Sequence, residues 1–164
     1  MAKLEIGINK ATGTIALMSI ILMVFAVLMT WIDIDLSSSS SWVSFADDSM
    51  TGVDLYSTDS DTYDGWQKNI PLIITILGVI MLILEFVSIL VPNMSQKIEA
   101  SMPLIVFLFS LIAIILTICF ATWDVFDDIE SAQMGGGAWA ALLGEILCLC
   151  FTAGQAFAIL KKKD

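Results

Sequence analysis

The chain has 164 residues, of which 58% are hydrophobic, and a mean hydropathy of +0.90. Soluble domains sit nearer half apolar and need charge spread over their surface. The net charge is −10 and there is no histidine or arginine. With no Cys-x-x-Cys and no Cys/His cluster either, that removes the familiar zinc, haem and iron–sulfur ligand sets, and it makes many hydrolytic and phosphoryl-transfer sites unexpected.

Charge is segregated. Residues 33–69 hold eight aspartates (Asp33, Asp35, Asp47, Asp48, Asp54, Asp59, Asp61, Asp64) against the single Lys68, a balance of −7, and residues 123–133 hold Asp124, Asp127, Asp128 and Glu130. Between the polar stretches lie four apolar runs of about 20 residues, the length a helix needs to cross a bilayer core of roughly 30 Å. The runs are continuous and lack period-2 alternation, so they read as helices, which satisfy their own backbone in lipid. The expected fold is an all-α membrane protein: one integral membrane domain over residues 1–164, an antiparallel bundle of four transmembrane helices at about 11–32, 70–91, 102–122 and 138–160. Outer loops fill 33–69 and 123–137. Lys3, Lys10, Lys97, Lys161, Lys162 and Lys163 lie at the opposite ends of the spans. Because lysine favours the cytoplasmic side, both termini are expected inside a plasma membrane and the acidic loops outside.

Residues 1–10 form a short lead, and Asn9-Lys10-Ala11-Thr12 opens the first run. Two lysines before an apolar stretch also suit a signal peptide. The run is long for one, however, and no small-x-small cleavage site follows, so an uncleaved helix is expected. Trp31, Trp66, Trp123 and Trp139 fall at the outer ends of the four runs and are expected to act as interface anchors.

In the long loop, Ser37 to Ser41 is a serine run that reads as a connector. Trp42-Val43-Ser44-Phe45 and Val53-Asp54-Leu55-Tyr56 are short β-prone stretches, which predict a hairpin or small sheet capping the bundle. A two-stranded hairpin is marginal alone, so it must pack on the helix ends or on a partner. Asp59-Ser60-Asp61-Thr62-Tyr63-Asp64-Gly65 has the alternating acids of a calcium loop. The third acid and the glycine fall one place late for an EF-hand, and position 12 is Ile70. Asp59, Asp61 and Asp64 therefore read either as a solvated acidic turn or as a weak divalent-cation site. Pro71 is compatible with the first turn of the second run. Val91-Pro92-Asn93 ends that run, Met102-Pro103 opens the third, and Gly135-Gly136-Gly137 reads as a flexible lead into the fourth. Lys161 to Lys163 can sit at anionic headgroups. Cys119, Cys148 and Cys150 lie within apolar segments, so no disulfide staples the outer loops. They read as small packing residues, with Cys148 and Cys150 on different sides.

Two carboxylates, Glu85 and Glu145, fall inside spans. A charge there costs a few kcal/mol on insertion scales, so each is expected to be protonated or hydrogen-bonded. At about 1.5 Å per residue, Glu85 lies roughly 22 Å from the outer boundary and Glu145 roughly 10 Å, too far apart in height for a carboxylate dyad. Glu85 is level with Thr152 and Gln155, with Ser19 and Ser110 slightly shallower, and Glu145 is near Thr75 and Thr117. Glu145, Cys148, Thr152 and Gln155 share a face of the fourth helix, spaced 3, 4 and 3. Thr75, Gly78 and Glu85 share a face of the second, and Ala113, Thr117 and Ala121 form a small-residue stripe on the third. Such faces turn toward other helices.

The layout of four helices, both ends inside, a long first outer loop with β-structure and a short second one resembles the claudin-like tetraspan class. Trp42 could stand for that class's loop tryptophan, but its loop cysteine pair is missing here. Trp31 and the segment Thr51-Gly52-Val53-Asp54-Leu55 more closely resemble uncharacterised prokaryotic four-helix membrane proteins. Those tend to have a tryptophan closing helix one and a Ser/Thr-Gly-x-Asp-Leu segment before helix two. This likeness implies architecture and no activity. The expected role is a structural or accessory membrane protein, not an enzyme, with no cofactor and no resident metal. Its partners would be membrane lipids and other membrane subunits or itself, and not nucleic acid. An alternative is a small ion or proton channel or transporter using Glu85 and Glu145. A membrane-embedded enzyme comes third, since no nucleophile–base constellation is evident.

Overall fold

A computed structural model describes residues 2–34, 49–58, 65–90, 96–128 and 132–161. These residues are mostly helical. The long helices are α1 (Ala2–Ala26), α3 (Ile70–Leu90), α4 (Gln96–Ala121) and α6 (Gly136–Lys161), with shorter α2 (Gly52–Ser57) and α5 (Val125–Asp128). Three stretches, Trp66–Ser88, Ser101–Ala121 and Gly136–Gly154, are long and apolar enough to cross a membrane by length and composition. The apolar part of α1 is shorter, Gly13–Ala26.

The long helices pack in a ring: α6 against α1 and α4, and α3 against the same two. α1 and α4 are therefore one diagonal pair, α3 and α6 the other. Gly78 on α3 and Gly144 on α6 bring their helices close to α1. A Cβ at Gly78 would meet Val24 Cγ2 at 2.9 Å, and one at Gly144 would meet the Ser19 carbonyl at 2.8 Å. Small residues permit that approach, which gains dispersion contacts where lipid removes the hydrophobic drive between helices.

The end of the bundle opposite the termini is a cap drawn from both loops. Strands β1 (Thr30–Ile34), β2 (Met50–Thr51) and β3 (Ala132–Met134) form an antiparallel sheet in the order β2-β1-β3. This differs from the expected cap of the first loop alone. The first helix also starts earlier and stops earlier than 11–32. It turns at Val27–Leu28, where Leu28 N–H donates to the Phe25 carbonyl and Met29 N–H to that of Ala26. The chain then enters β1. The third helix begins at Gln96, ahead of Pro103, which lies inside it. The expected strand over Val53 to Tyr56 is instead α2. The stretch Trp42 to Phe45, the serine run and Asp59, Asp61 and Asp64 lie outside the described residues.

Thr51 is what makes α2 a helix. Its hydroxyl accepts from Asp54 N–H at 3.2 Å, and its own N–H and hydroxyl donate to Asp54 Oδ2 at 3.1 and 2.7 Å, a reciprocal capping box. At the far end, Lys68 Nζ donates to the carbonyl of Thr58, the C-cap residue, at 3.3 Å, as a cation suits a helix C-terminus. Gly52 and Leu55 are buried while Val53 and Tyr56, three apart on the adjoining face, are exposed. These bonds hold the Asp54 carboxyl below its usual range, first through the Thr51 hydroxyl and then through the Thr51 N–H. A carboxylate with a depressed folded-state pKa stabilises at pH above its unfolded value. That contribution is lost as pH falls through the folded value. Protection of the Asp54 amide, measured against its intrinsic exchange rate at each pH, should therefore fall below about pH 4 and, at neutral pH, in a Thr51→Ala protein, where a lost N-cap costs about 1 kcal/mol. Unchanged protection in both cases would remove the capping box as the reason for α2.

Candidate functional site

Polar side chains line the interior along the bundle axis. Ser19 on α1, Glu85 on α3, Ser110 and Thr117 on α4, and Glu145 and Thr152 on α6 are the buried polar residues among those described. Each sits on a helix otherwise apolar enough for lipid, so its inward placement follows from the cost of leaving a polar group without a partner.

Glu145 and Thr117 meet between α6 and α4. The Thr117 hydroxyl lies 2.8 Å from Oε1 and 3.0 Å from Oε2 of Glu145, and neither residue has meaningful exposure. The hydroxyl donates to the carboxyl group, and no side-chain oxygen or nitrogen that is fully sealed from the surface among the described residues is left without a partner. Removing one member of such a pair strands the other. Thr117→Val should thus cost about 1–3 kcal/mol, whereas combining it with Glu145→Leu should recover most of the loss. A double-mutant cycle on detergent-solubilised protein reads the coupling, and additive losses would show that the two side chains do not act as a pair.

Nearer the opposite end, the Ser110 hydroxyl donates to Met81 Sδ at 3.7 Å. Ser110 also reaches the Cys148 thiol, which lies within electrostatic range of Glu85. Several hydroxyls serve their own helices: Ser19 donates to the Ile15 carbonyl at 2.8 Å, Thr75 to that of Pro71 at 2.8 Å and Thr152 to that of Cys148 at 2.7 Å. Thr75 therefore spends its hydroxyl locally and not on Glu145. Ala113 is buried but Ala121 is exposed, so the α4 stripe turns outward at its upper end. Cys119, Cys148 and Cys150 are free, half-buried, buried and exposed respectively. The Gln155 side chain lies outside the described set. Among the described residues, no group of three or more cysteine, aspartate or glutamate side chains could hold a metal ion.

The four tryptophans divide into two pairs. Trp66, in a 3₁₀ turn (Trp66–Asn69), and Trp139 are exposed at the ends of α3 and α6 beside the cap. Trp31 and Trp123 are buried, which corrects the anchoring expectation for both. Trp31 sits in β1, its Nε1 donating to the Ala26 carbonyl at 2.8 Å and its ring edge-on to Phe120 with centroids 5.1 Å apart. Phe120 also contacts Trp123 and Phe126, at 5.9 and 5.7 Å. Counting along a helix gives depth but not whether the chain is still helical there, and β1 turns Trp31 inward. A shallow apolar groove of about 100 Å³ lies between α4 and α6, lined by Thr117, Ile118, Ala121, Met134, Trp139 and Leu142.

No family model matches the chain, and neither does any curated protein or solved structure.

Proposed function

We propose that this is a structural or accessory tetraspan protein of the plasma membrane that works by assembly, with itself or with another membrane subunit. In this reading α1 is the fourth span. At about 1.5 Å per residue its 25 residues extend for roughly 37 Å, of which the apolar part, Gly13–Ala26, covers roughly 21 Å. Both termini face the cytoplasm, as the lysines there favour.

The observation that carries the reading is the cap. Its inward side is closed on the helix ends by Trp31, Leu55, Phe120 and Trp123, all buried, while its α2 and the following turn leave Val53, Tyr56 and Trp66 about half exposed. Aromatic residues of this kind are enriched where proteins bind one another. The surrounding outer loop is strongly acidic, which steers it toward a basic partner surface.

Native mass spectrometry on protein extracted gently from its own membrane tests the proposal. The expected result is a mass of two or more chains, or of one chain with a recurrent membrane subunit. Combining Tyr56→Ala with Trp66→Ala should shift that species toward the single chain. A single chain in mild extraction, or an assembly indifferent to the double substitution, would overturn the proposed role of the cap.

A further inference from the structure

The two interior acids are held differently. Glu145 is fully buried with both carboxyl oxygens at the Thr117 hydroxyl. Glu85 is 7% exposed, and among the described residues no donor reaches its carboxyl. No side-chain oxygen among the described residues is both sealed off and unbonded, so the little surface Glu85 keeps lies at its carboxyl oxygens.

Its position places it toward one end of the bundle. Glu85 stands fifteen residues below Ile70 but only five from Leu90, roughly 22 Å and about 7 Å along the helix axis. The nearer end of the bundle is the one where α1 begins and α6 finishes. α3 packs on α1 and α4. Over Gly13–Ala26, α1 contributes no titratable group, and within Ser101–Ala121 α4 contributes only Cys119, near its outer end. Diagonally opposite, α6 contributes Cys148 and, further out, Glu145. No cationic side chain in these stretches is available to neutralise Glu85. An unpaired carboxylate inside a span is far more costly than the neutral acid. The Thr117 hydroxyl occupies both oxygens of Glu145, whereas no described donor occupies those of Glu85.

We propose that Glu85 is a proton-binding site in the bundle interior, a carboxylic acid with free oxygens near the end that carries the termini, and that Glu145 is a closed structural acid. The inference is independent of whether the protein assembles through its cap.

A hydrophobic carbodiimide tests it on the unaltered protein. Dicyclohexylcarbodiimide adds across a protonated carboxyl. The acid proton goes to one nitrogen and the carboxyl oxygen to the central carbon, and an acyl shift from oxygen to nitrogen then gives a stable N-acylurea, with nothing released. Mass mapping of α3 and α6 peptides reads both acids in the same molecules. Glu85 should be modified at least about tenfold faster than Glu145, the ratio that one ordinary hydrogen bond to Thr117 would impose. Equal rates, faster modification of Glu145, or no adduct at either acid would overturn the proposal.

Discussion

Replacing Trp31 with alanine should destabilise the protein by about 3–5 kcal/mol, the range for deleting a large buried ring. Trp31 is fully buried, joins α1 to the cap through its bond to the Ala26 carbonyl and stacks edge-on against Phe120 of α4. It thus links the sheet to two helices at once. Trp31→Phe separates the two contributions. It keeps most of the ring contact but removes the indole's hydrogen bond, leaving the Ala26 carbonyl to the Met29 N–H alone, for a cost of about 1 kcal/mol. Unfolding in mixed micelles, titrated with sodium dodecyl sulfate, gives both values. If the alanine protein unfolded within about 1 kcal/mol of the parent, the cap would be an ornament on the bundle and not part of its core.

That expectation rests on a residue whose sequence setting points elsewhere. Trp31 follows an apolar run without a break, so hydropathy extends the helix through it, and its position then looks like a membrane interface. The alternation in Thr30-Trp31-Ile32-Asp33-Ile34 is a strand signal, but five residues appended to a helix-like run are easily absorbed by it. The opposite error occurs at Val53 to Tyr56. Valine and tyrosine favour strands, but Thr51 with Asp54 three places on is a helix-start signal, and the cap bonds prevail over propensity in a six-residue segment. The three apolar stretches in α3, α4 and α6 are legible because lipid demands uniform composition over a full crossing. The heights of Glu145 and Thr117 follow from rise per residue, and their side chains meet. What no count along one helix supplies is the ring order of the bundle. That order sets α3 diagonal to α6 and leaves Glu85 without the donor that Glu145 has.

The glycines carry the second large effect. Read as a sequence, Gly135-Gly136-Gly137 is a flexible lead, but two of the three are close-packed. A Cβ at Gly137 would meet the Ala26 carbonyl, the Thr30 carbonyl and Trp31 Cδ1, each at 2.8 Å. A Cβ at Gly135 would press on the Thr30 carbonyl, while one at Gly136 would find only Met29 Cε, at 4.0 Å. Two of the three atoms around Gly137 are backbone, fixed by the turn after α1 and by β1, so they cannot swing aside. Gly137→Ala is therefore expected to cost at least the roughly 1–3 kcal/mol typical of overpacking, and Gly137→Val to prevent the cap from closing. Gly136→Ala is the internal control. It adds the same methyl one residue away, at the start of α6, and should be neutral or stabilise by up to about 1 kcal/mol, because alanine is the better helix former. The same micelle titration compares the pair. Equal losses would mean that the triplet serves chain flexibility after all. A loss confined to Gly137 would show that α6 docks on α1 and β1 through a backbone contact that any side chain would hold apart, so the outer cap and the helix ring form one packed unit.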